Sequence, residues 1–312
     1  MNKVLVTGAT GFIGRHTLKK LCDRFDHVYA VYRNESLAVA NDNLTWHEAD
    51  LLSDEETCAL FEECAPTHLL HLAWYAEHGK YGHSEKNIDW LTSSLHLIRE
   101  FRKNGGKRVI CAGTCFEYNL DHGTLSETDT PLEPELIYGE SKKSLYNMLS
   151  SYSELTGLSS AWGRVFYLYG PHENPGRLVS SVIRSLILNQ PAKSSAGEQK
   201  KDFLHVYDVA DAFVELLSSN LTGAVNIGSG NAIAVKDIVI KIGAFTGKEH
   251  LVELGALPTR QNERQLIQAD TQRLTHELNW HPGYTLDEGL KQTIQWWEDH
   301  LDLDNEALKN AI

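Results

Sequence analysis

The sequence predicts an α/β fold, a doubly wound parallel sheet with a smaller cap interleaved in its C-terminal half. Three observations predict it. Short apolar runs suited to strands buried on both faces recur at residues 3–6, 28–32, 44–49, 67–71, 108–112 and 161–168. Amphipathic stretches at helical spacing alternate with them, and right-handed crossovers of that kind place successive strands parallel. After Tyr169-Gly170-Pro171 the alternation loosens into shorter pieces.

The first turn organises the rest. The run 3–6 is followed by Gly8, Gly11 and Gly14 in a G-x-x-G-x-x-G spacing, then by Phe12, Ile13, Leu18 and Leu21 roughly on one helical face. A strand, a tight turn and a helix in that order aim the helix N-terminus at a phosphate. Gly8 allows the turn, Gly11 the approach of a pyrophosphate to backbone N–H groups, and Gly14 close helix–strand packing. The context predicts a dinucleotide site.

The remaining elements follow in order. Residues 52–64 read as a helix with Ser53 as N-cap and Glu56 completing a capping box. Residues 87–103 form a long helix with Ile88, Leu91, Leu95 and Ile98 at helical spacing, closed by Gly105-Gly106. The stretch 119–134 is rich in turn residues and reads as a loop, and 138–155 as a helix stopped at Gly157. Further on, 178–188, 235–245 and 286–297 read as helices, 203–217 as a short strand and a helix, and 225–227 as a strand. The polar tail 298–312 is expected to fray.

Composition excludes several classes. With Lys plus Arg at 29 and Asp plus Glu at 42, the net charge of −13 argues against a general nucleic-acid binder. An anionic ligand must therefore meet local basic residues. No apolar run is long enough for a bilayer, and the N-terminus enters a strand without a signal-peptide pattern. Cys22, Cys58, Cys64, Cys111 and Cys115 are odd in number and lack zinc spacing, so a reduced cytoplasmic compartment is expected. The histidines form no metal motif, His68 and His71 reading as strand-end residues, and no metal is expected.

Tyr138 and Lys142 lie four apart, one turn of a helix, on one face. A lysine ammonium beside a phenol favours the phenolate, and a tyrosine so placed can exchange a proton with a carbinol near neutral pH. Thr114 follows the run 108–112, at the end of a strand where such sheets hold their ligands, and its hydroxyl can bond the same substrate oxygen.

At these residues the chain resembles the extended short-chain dehydrogenase/reductases, in particular the nucleotide-sugar epimerase/dehydratase/reductase group. The resemblance rests on Gly8 to Gly14, His71-Leu72-Ala73, Thr114 and Tyr138-x-x-x-Lys142. It continues in the stretches 164–171, 202–210 and 226–230. It implies a dinucleotide-binding Rossmann domain over 1–169, with returning segments near 203–230. A substrate-binding cap would comprise 170–202 and 231–312. It implies Thr114, Tyr138 and Lys142 as the catalytic triad, with Lys142 also holding the nicotinamide ribose and Asp50-Leu51 the adenine end. Gly8, Gly11, Phe12, Ile13, Gly14, Leu72, Ala73, Trp74 and Tyr138 complete the expected cofactor contacts. Arg177, Lys201 and Arg260 are candidates for the diphosphate of a nucleotide-diphosphate sugar, alongside Thr114 at the sugar.

Departures from the family's pattern bear on the reaction. Its 4,6-dehydratases carry Asp-Glu directly after the threonine; Cys115 and Phe116 stand here and cannot do that proton work. Glu117, one residue on, is expected to face elsewhere. Tyr167 replaces an asparagine of the diphosphate site, and the bulky Trp74-Tyr75 follows the His-Leu-Ala turn. The second strand ends at Val31-Tyr32-Arg33-Asn34 with no carboxylate before Glu35. Arg33 suits a 2′-phosphate, so NADP (as NADPH) is the expected cofactor, with NAD as the other possibility. The expected reaction is reduction of the keto group, at C4, of a nucleotide-linked deoxysugar; a nucleotide-sugar 4-epimerase with tightly bound NAD is the alternative. A non-catalytic dinucleotide sensor would not need the Tyr138/Lys142 pair. The helix 87–103 has apolar residues on more than one side (Trp90, Leu97 and Phe101 beside Leu91, Leu95 and Ile98), and with 138–155 is expected to form a four-helix homodimer interface.

Overall fold

The computed structural model describes residues 1–37, 39–259 and 263–309. In chain order the first part comprises β1 (Lys3–Thr7), α1 (Gly14–Arg24), β2 (His27–Tyr32), β3 (Leu44–Glu48), α2 (Asp54–Cys64), β4 (His68–His71), α3 (Lys86–Lys103) and β5 (Arg108–Thr114). Then come β6 (Thr124–Leu125), α4 (Ile137–Thr156), β7 (Ser159–Val165), β8 (Tyr167–Tyr169), α5 (Leu178–Ile187), β9 (Ala192–Lys193) and β10 (Lys200–His205). The last are α6 (Val206–Ser218), β11 (Gly223–Ile227), β12 (Ala232–Ala234), α7 (Val235–Thr246), β13 (Val252–Glu253), β14 (Leu266–Ala269) and α8 (Leu286–Lys309).

Seven strands form the large sheet in the order β11-β7-β5-β4-β1-β2-β3, every neighbouring pair parallel. From β1 the chain winds outward to β2 and β3, then returns to β4 on the other flank. The crevice beyond the C-terminal ends of β1 and β4 is the switch point at which such sheets take ligands. Side chains alternate along β1, so Val4 and Val6 pack with Leu18, Leu21, Val209 and Phe213 from α1 and α6. Leu5 packs on the opposite face with Phe61, Leu97, Phe101 and Leu145 from α2, α3 and α4. Burial on both faces explains why these strands read as unbroken apolar runs.

A second sheet, β12-β10-β14-β6 with β8 added beside β10, has a separate core including Tyr169, Ile183, Ile238, Leu290 and Trp297. β9 and β13 form a short parallel pair. Among the described residues no helix is long and apolar enough to cross a membrane.

Several sequence expectations need correction. The strand expected over 161–168 breaks at Phe166, whose N–H bonds Ile227 O at 3.0 Å; β7 lies in the large sheet and β8 pairs with β10 in the other. The loop 119–134 contains β6, which pairs with β14. On α3 the most deeply buried positions are Leu97, Ile98 and Phe101 with Asn87 and Ser94, whereas Ile88 is 52% exposed. Wedged between α2, α4 and the sheet, α3 uses small polar residues where the chains approach closely. Ser53 caps α2 through Glu56 N, but the Glu56 carboxylate accepts from Asp50 N at 2.7 Å instead of closing the box. Helix α8 continues through the expected frayed tail to Lys309, and 310–312 lie outside the described residues.

Candidate active site

The C-terminal ends of β1 and β4 are tied by directed hydrogen bonds. Ser94 Oγ donates to Trp90 O at 2.6 Å, so at 2.9 Å it accepts from His71 Nε2. His71 Nδ1 then accepts from Thr7 Oγ1 at 2.7 Å, and Thr7 Oγ1 accepts from Ala73 N at 3.3 Å. Burial, and then the charge of Lys142, push the His71 pKa down to about 3, keeping the ring neutral. The chain thus fixes Leu72, Ala73 and Trp74, all partly buried, along the crevice.

The glycine turn fits a dinucleotide phosphate. Gly8 has φ +68°, and a Cβ there would lie 2.8 Å from Ala73 N; a Cβ on Gly14 would lie 2.1 Å from Gly8 O. No other residue type preserves both approaches. Gly11 is exposed and its N–H closes the turn on Gly8 O at 3.0 Å. The N–H groups of Phe12 and Ile13 carry no hydrogen bond among the described residues and sit at the start of α1. They are the donors an anion would meet.

Arg33 follows β2 directly and is exposed, with no hydrogen bond or ion pair among the described residues. Beyond β3, Asp50 Oδ1 accepts from Leu52 N at 3.1 Å, and Leu51 is 6% exposed. These positions line up along the C-terminal edge of the sheet, from the glycine turn outward.

Thr114 ends β5 and caps the 3-10 turn Cys115–Glu117. Its side chain hydrogen-bonds Tyr138, which lies in the first turn of α4 with the Tyr81 ring edge-on at 4.9 Å. A Cβ on Gly139 would lie 2.2 Å from Phe116 O, so glycine there lets α4 pass close over the turn. Lys142 is on the same helix, but Nζ donates to Ala112 O at 2.8 Å and rests 3.7 Å above the Trp74 ring.

That placement corrects the expected effect of Lys142 on the phenol. Burial first, then Tyr81, Glu117 and Cys115, push the Tyr138 pKa above its ordinary value, against the hydrogen bond from Thr114. Burial pushes Lys142 down to about 7. Tyr138 is therefore protonated at neutral pH, the form that can act as a donor.

Glu117 faces away from the crevice, and the sequence did not show what it meets there. It is wholly buried, accepting from Arg164 Nε at 2.7 Å, Trp162 Nε1 at 2.9 Å and Thr114 N at 2.8 Å. Arg164 also donates to Tyr118 Oη at 2.9 Å. Burial opposes the guanidinium's charge, and Glu117 and Tyr118 more than restore it, so its pKa ends above the ordinary value. The only hint in the sequence was an arginine in the middle of an apolar strand, which demands a carboxylate.

Of the basic substrate candidates, Arg177 is partly buried at the N-cap of α5. Lys201, on β10, pairs with Glu263 and lies 4.7 Å above the Tyr167 ring. Its charge reaches Cys115, next to Thr114. Phe116, Tyr167 and Phe203 form a ring ladder beside it, at 6.3 and 5.6 Å between centroids. Arg260 lies outside the described residues.

Comparison with known proteins agrees with this layout. The chain is 26% identical to the UDP-glucuronate 4-epimerase of Thermodesulfobacterium geofontis over 97% of its length and 98% of the relative's. It is 26% identical to the CDP-abequose synthase of Salmonella typhimurium, over 94% of this chain and 97% of that protein. The crystal structure of Thermus thermophilus UDP-glucose 4-epimerase in complex with NAD superposes with a TM-score of 0.83 at 25% identity, covering 95% of this chain and 98% of that one. The profile of the NAD dependent epimerase/dehydratase family matches residues 4–228, and with the α/β architecture this establishes that the chain belongs to that family.

Proposed function

We propose that the protein reduces the keto group, at C4, of a nucleotide-diphosphate-linked deoxysugar, preferring NADPH and accepting NADH. The observation that carries the reading is the fate of the carboxylates beside Thr114. Cys115 and Phe116 offer no acid or base, and Glu117 is sealed against Arg164 and Trp162. The phenol and hydroxyl of Tyr138 and Thr114 are what remain to move a proton, and one proton is all that a keto reduction requires of the protein.

A bound nicotinamide cofactor supplies hydride chemistry. The turn from Gly8 to Gly14, with Phe12 and Ile13 N–H, would hold its phosphates. Arg33 would take a 2′-phosphate, Asp50 and Leu51 the adenine end, and Lys142 a ribose beside Leu72, Ala73 and Trp74. Tyr138, its pKa raised, donates to the developing alkoxide at the sugar, and Thr114 bonds the same oxygen. The fixed position of these groups on β5 and α4 orients the substrate.

The segments 170–202 and 231–312 would form the substrate cap, with Arg177 and Lys201 meeting the diphosphate and Arg260 a third cation for it. The exposed apolar residues Ile88 on α3 and Met148 and Leu155 on α4 suit a homodimer through those two helices. A cytoplasmic enzyme without nucleic-acid or membrane partners fits the net charge and the free thiols. A 4-epimerase reading draws on two of the three relatives named above. The assay that decides between them offers a 4-keto-6-deoxy nucleotide sugar with NADPH. Stoichiometric loss of nicotinamide absorbance is expected; interconversion of two unoxidised nucleotide sugars without net NADPH change would replace the reductase with the epimerase. Sedimentation at micromolar concentration tests the dimer, which a monomer would refute.

A further inference from the structure

Away from the crevice, α2 and α3 place a thiol, an imidazole and a carboxylate together. Cys58 Sγ and His96 Nε2 are 3.6 Å apart, and with a Glu100 carboxylate oxygen all three atoms lie within 4.8 Å of one another. Asp54 Oδ1 is 3.9 Å from His96 Nε2. The four residues are two i,i+4 pairs, Asp54 with Cys58 on α2 and His96 with Glu100 on α3; Cys58, His96 and Glu100 converge, and Asp54 stands beside His96 at the rim. We propose that Asp54, Cys58, His96 and Glu100 form a binding site for a divalent metal of the zinc class.

The distances suit such an ion. With Zn–S near 2.3 Å and Zn–N near 2.05 Å, a tetrahedral centre separates the two donors by about 3.6 Å. The Cys58–His96 spacing is already that value. Asp54 is the most exposed donor and must swing in toward the other three to complete the set. One thiolate, one imidazole and two carboxylates select zinc over magnesium or calcium, which take oxygen ligands and larger or octahedral shells.

Charge argues the same way. Glu100, Glu62 and Asp54 bring negative charge to the Cys58 thiol, with Lys103 opposing. A cation entering this acidic surround would displace the thiol proton to solvent and be neutralised by the thiolate and carboxylates. Glu100 is 3% exposed, and among the described residues its one ion pair is with Lys103, at 2.9 Å, on a side chain that is itself 63% exposed. Lys103 can swing into water, so it acts as a removable plug on the metal-facing carboxylate. The site would clamp α2 to α3, the helix whose Ser94 and Asn87 hold His71 and Trp74 at the crevice.

The test is a Co²⁺ titration of the full chain, free of any affinity tag and stripped with a chelator. One equivalent should raise a near-ultraviolet thiolate-to-cobalt charge-transfer band with the intense visible bands of four-coordinate cobalt, and Zn²⁺ should displace both. Cys58→Ser should abolish the near-ultraviolet band, and His96→Ala should weaken binding by at least about tenfold. Lys103→Gln, which frees Glu100, should tighten it. Cys64→Ser is the control, because Cys64 forms the other thiol–imidazole contact, 3.6 Å from His47, and should leave the spectrum unchanged. Absence of a charge-transfer band at one equivalent would overturn the proposal, as would its survival in folded Cys58→Ser protein or its loss in folded Cys64→Ser protein.

Discussion

Replacing Glu117 by glutamine separates a buried structural carboxylate from a catalytic one. The carboxylate accepts from three donors: the guanidinium of Arg164, the indole of Trp162 and the backbone N–H of Thr114. Arg164 is 1% exposed and Glu117 0%. Glutamine keeps one acceptor oxygen and turns an N–H₂ toward at least one of those donors, leaving a guanidinium without its counter-charge. Breaking a buried pair from one side costs about 3–5 kcal/mol. Against a typical stability of about 5–15 kcal/mol, that is about a fifth or more of the whole. Adding Arg164→Met removes the stranded charge, so E117Q/R164M should be more stable than E117Q alone, by about 1–4 kcal/mol. Denaturant unfolding followed by far-ultraviolet circular dichroism measures both variants. An E117Q protein within about 1 kcal/mol of wild type would refute the reasoning, because the pair would then be contributing no more than a surface contact does.

Three further outcomes are expected. Tyr138→Phe keeps the ring against Tyr81 but removes the proton, so kcat for keto reduction should fall about 10²–10⁴-fold with cofactor affinity retained, which single-turnover kinetics and a binding titration check together. Arg33→Ala removes one charge-assisted contact, so kcat/KM should drop about 10–100-fold with NADPH and stay level with NADH; equal losses would exclude a 2′-phosphate role. Stability should decline as pH falls below 6.5, where His71 and His205, held at about 3 and about 4 chiefly by burial, bind protons in the unfolded chain but not in the folded one. His16 and His172, held at about 4 chiefly by burial, act with them, and Glu173, raised by burial to about 7, works in the other direction, so the net sign is a loss of stability as pH falls. Unfolding free energies that rise between pH 6 and 5 would contradict that sign.

Features set by local spacing were legible in the chain. The glycine turn, Thr114 at a strand end and the Tyr138/Lys142 pair depend on neighbours within a few positions, where strand and helix periodicity dictate geometry. The partners of Glu117 were not legible, because Trp162 is 45 residues away and Arg164 is 47, and only the pairing of β5 with β7 joins them. The buried face of α3 was misread for a related reason. Apolar periodicity favoured Ile88, Leu91, Leu95 and Ile98, of which Ile98 is buried, but Ser94 occupies the sheet side because it bonds His71. The direction of Lys142 needed the carbonyl of Ala112 on β5 and the face of Trp74 in the loop after β4, both distant in sequence. The thiol–imidazole contact of Cys58 and His96 spans 38 residues and two helices, so no linear metal motif could announce it.

The break at Phe166 governs how the chain can assemble during synthesis. β7 leaves the large sheet for β8 in the small one, and β11, which covers the flank of β7, comes only after the intervening elements of both sheets. At ~5–20 residues per second, the roughly 60 residues between them take on the order of 3–12 s to emerge from a ribosome. During that interval β7 is an uncovered edge carrying Ala161, Trp162 and Val165, with its outer N–H and C=O groups unpaired. Such an edge invites pairing with another nascent chain. A chain truncated after Tyr169 would carry it permanently, so the large sheet of this molecule cannot be excised at a single cut, and its nascent form has reason to need a chaperone.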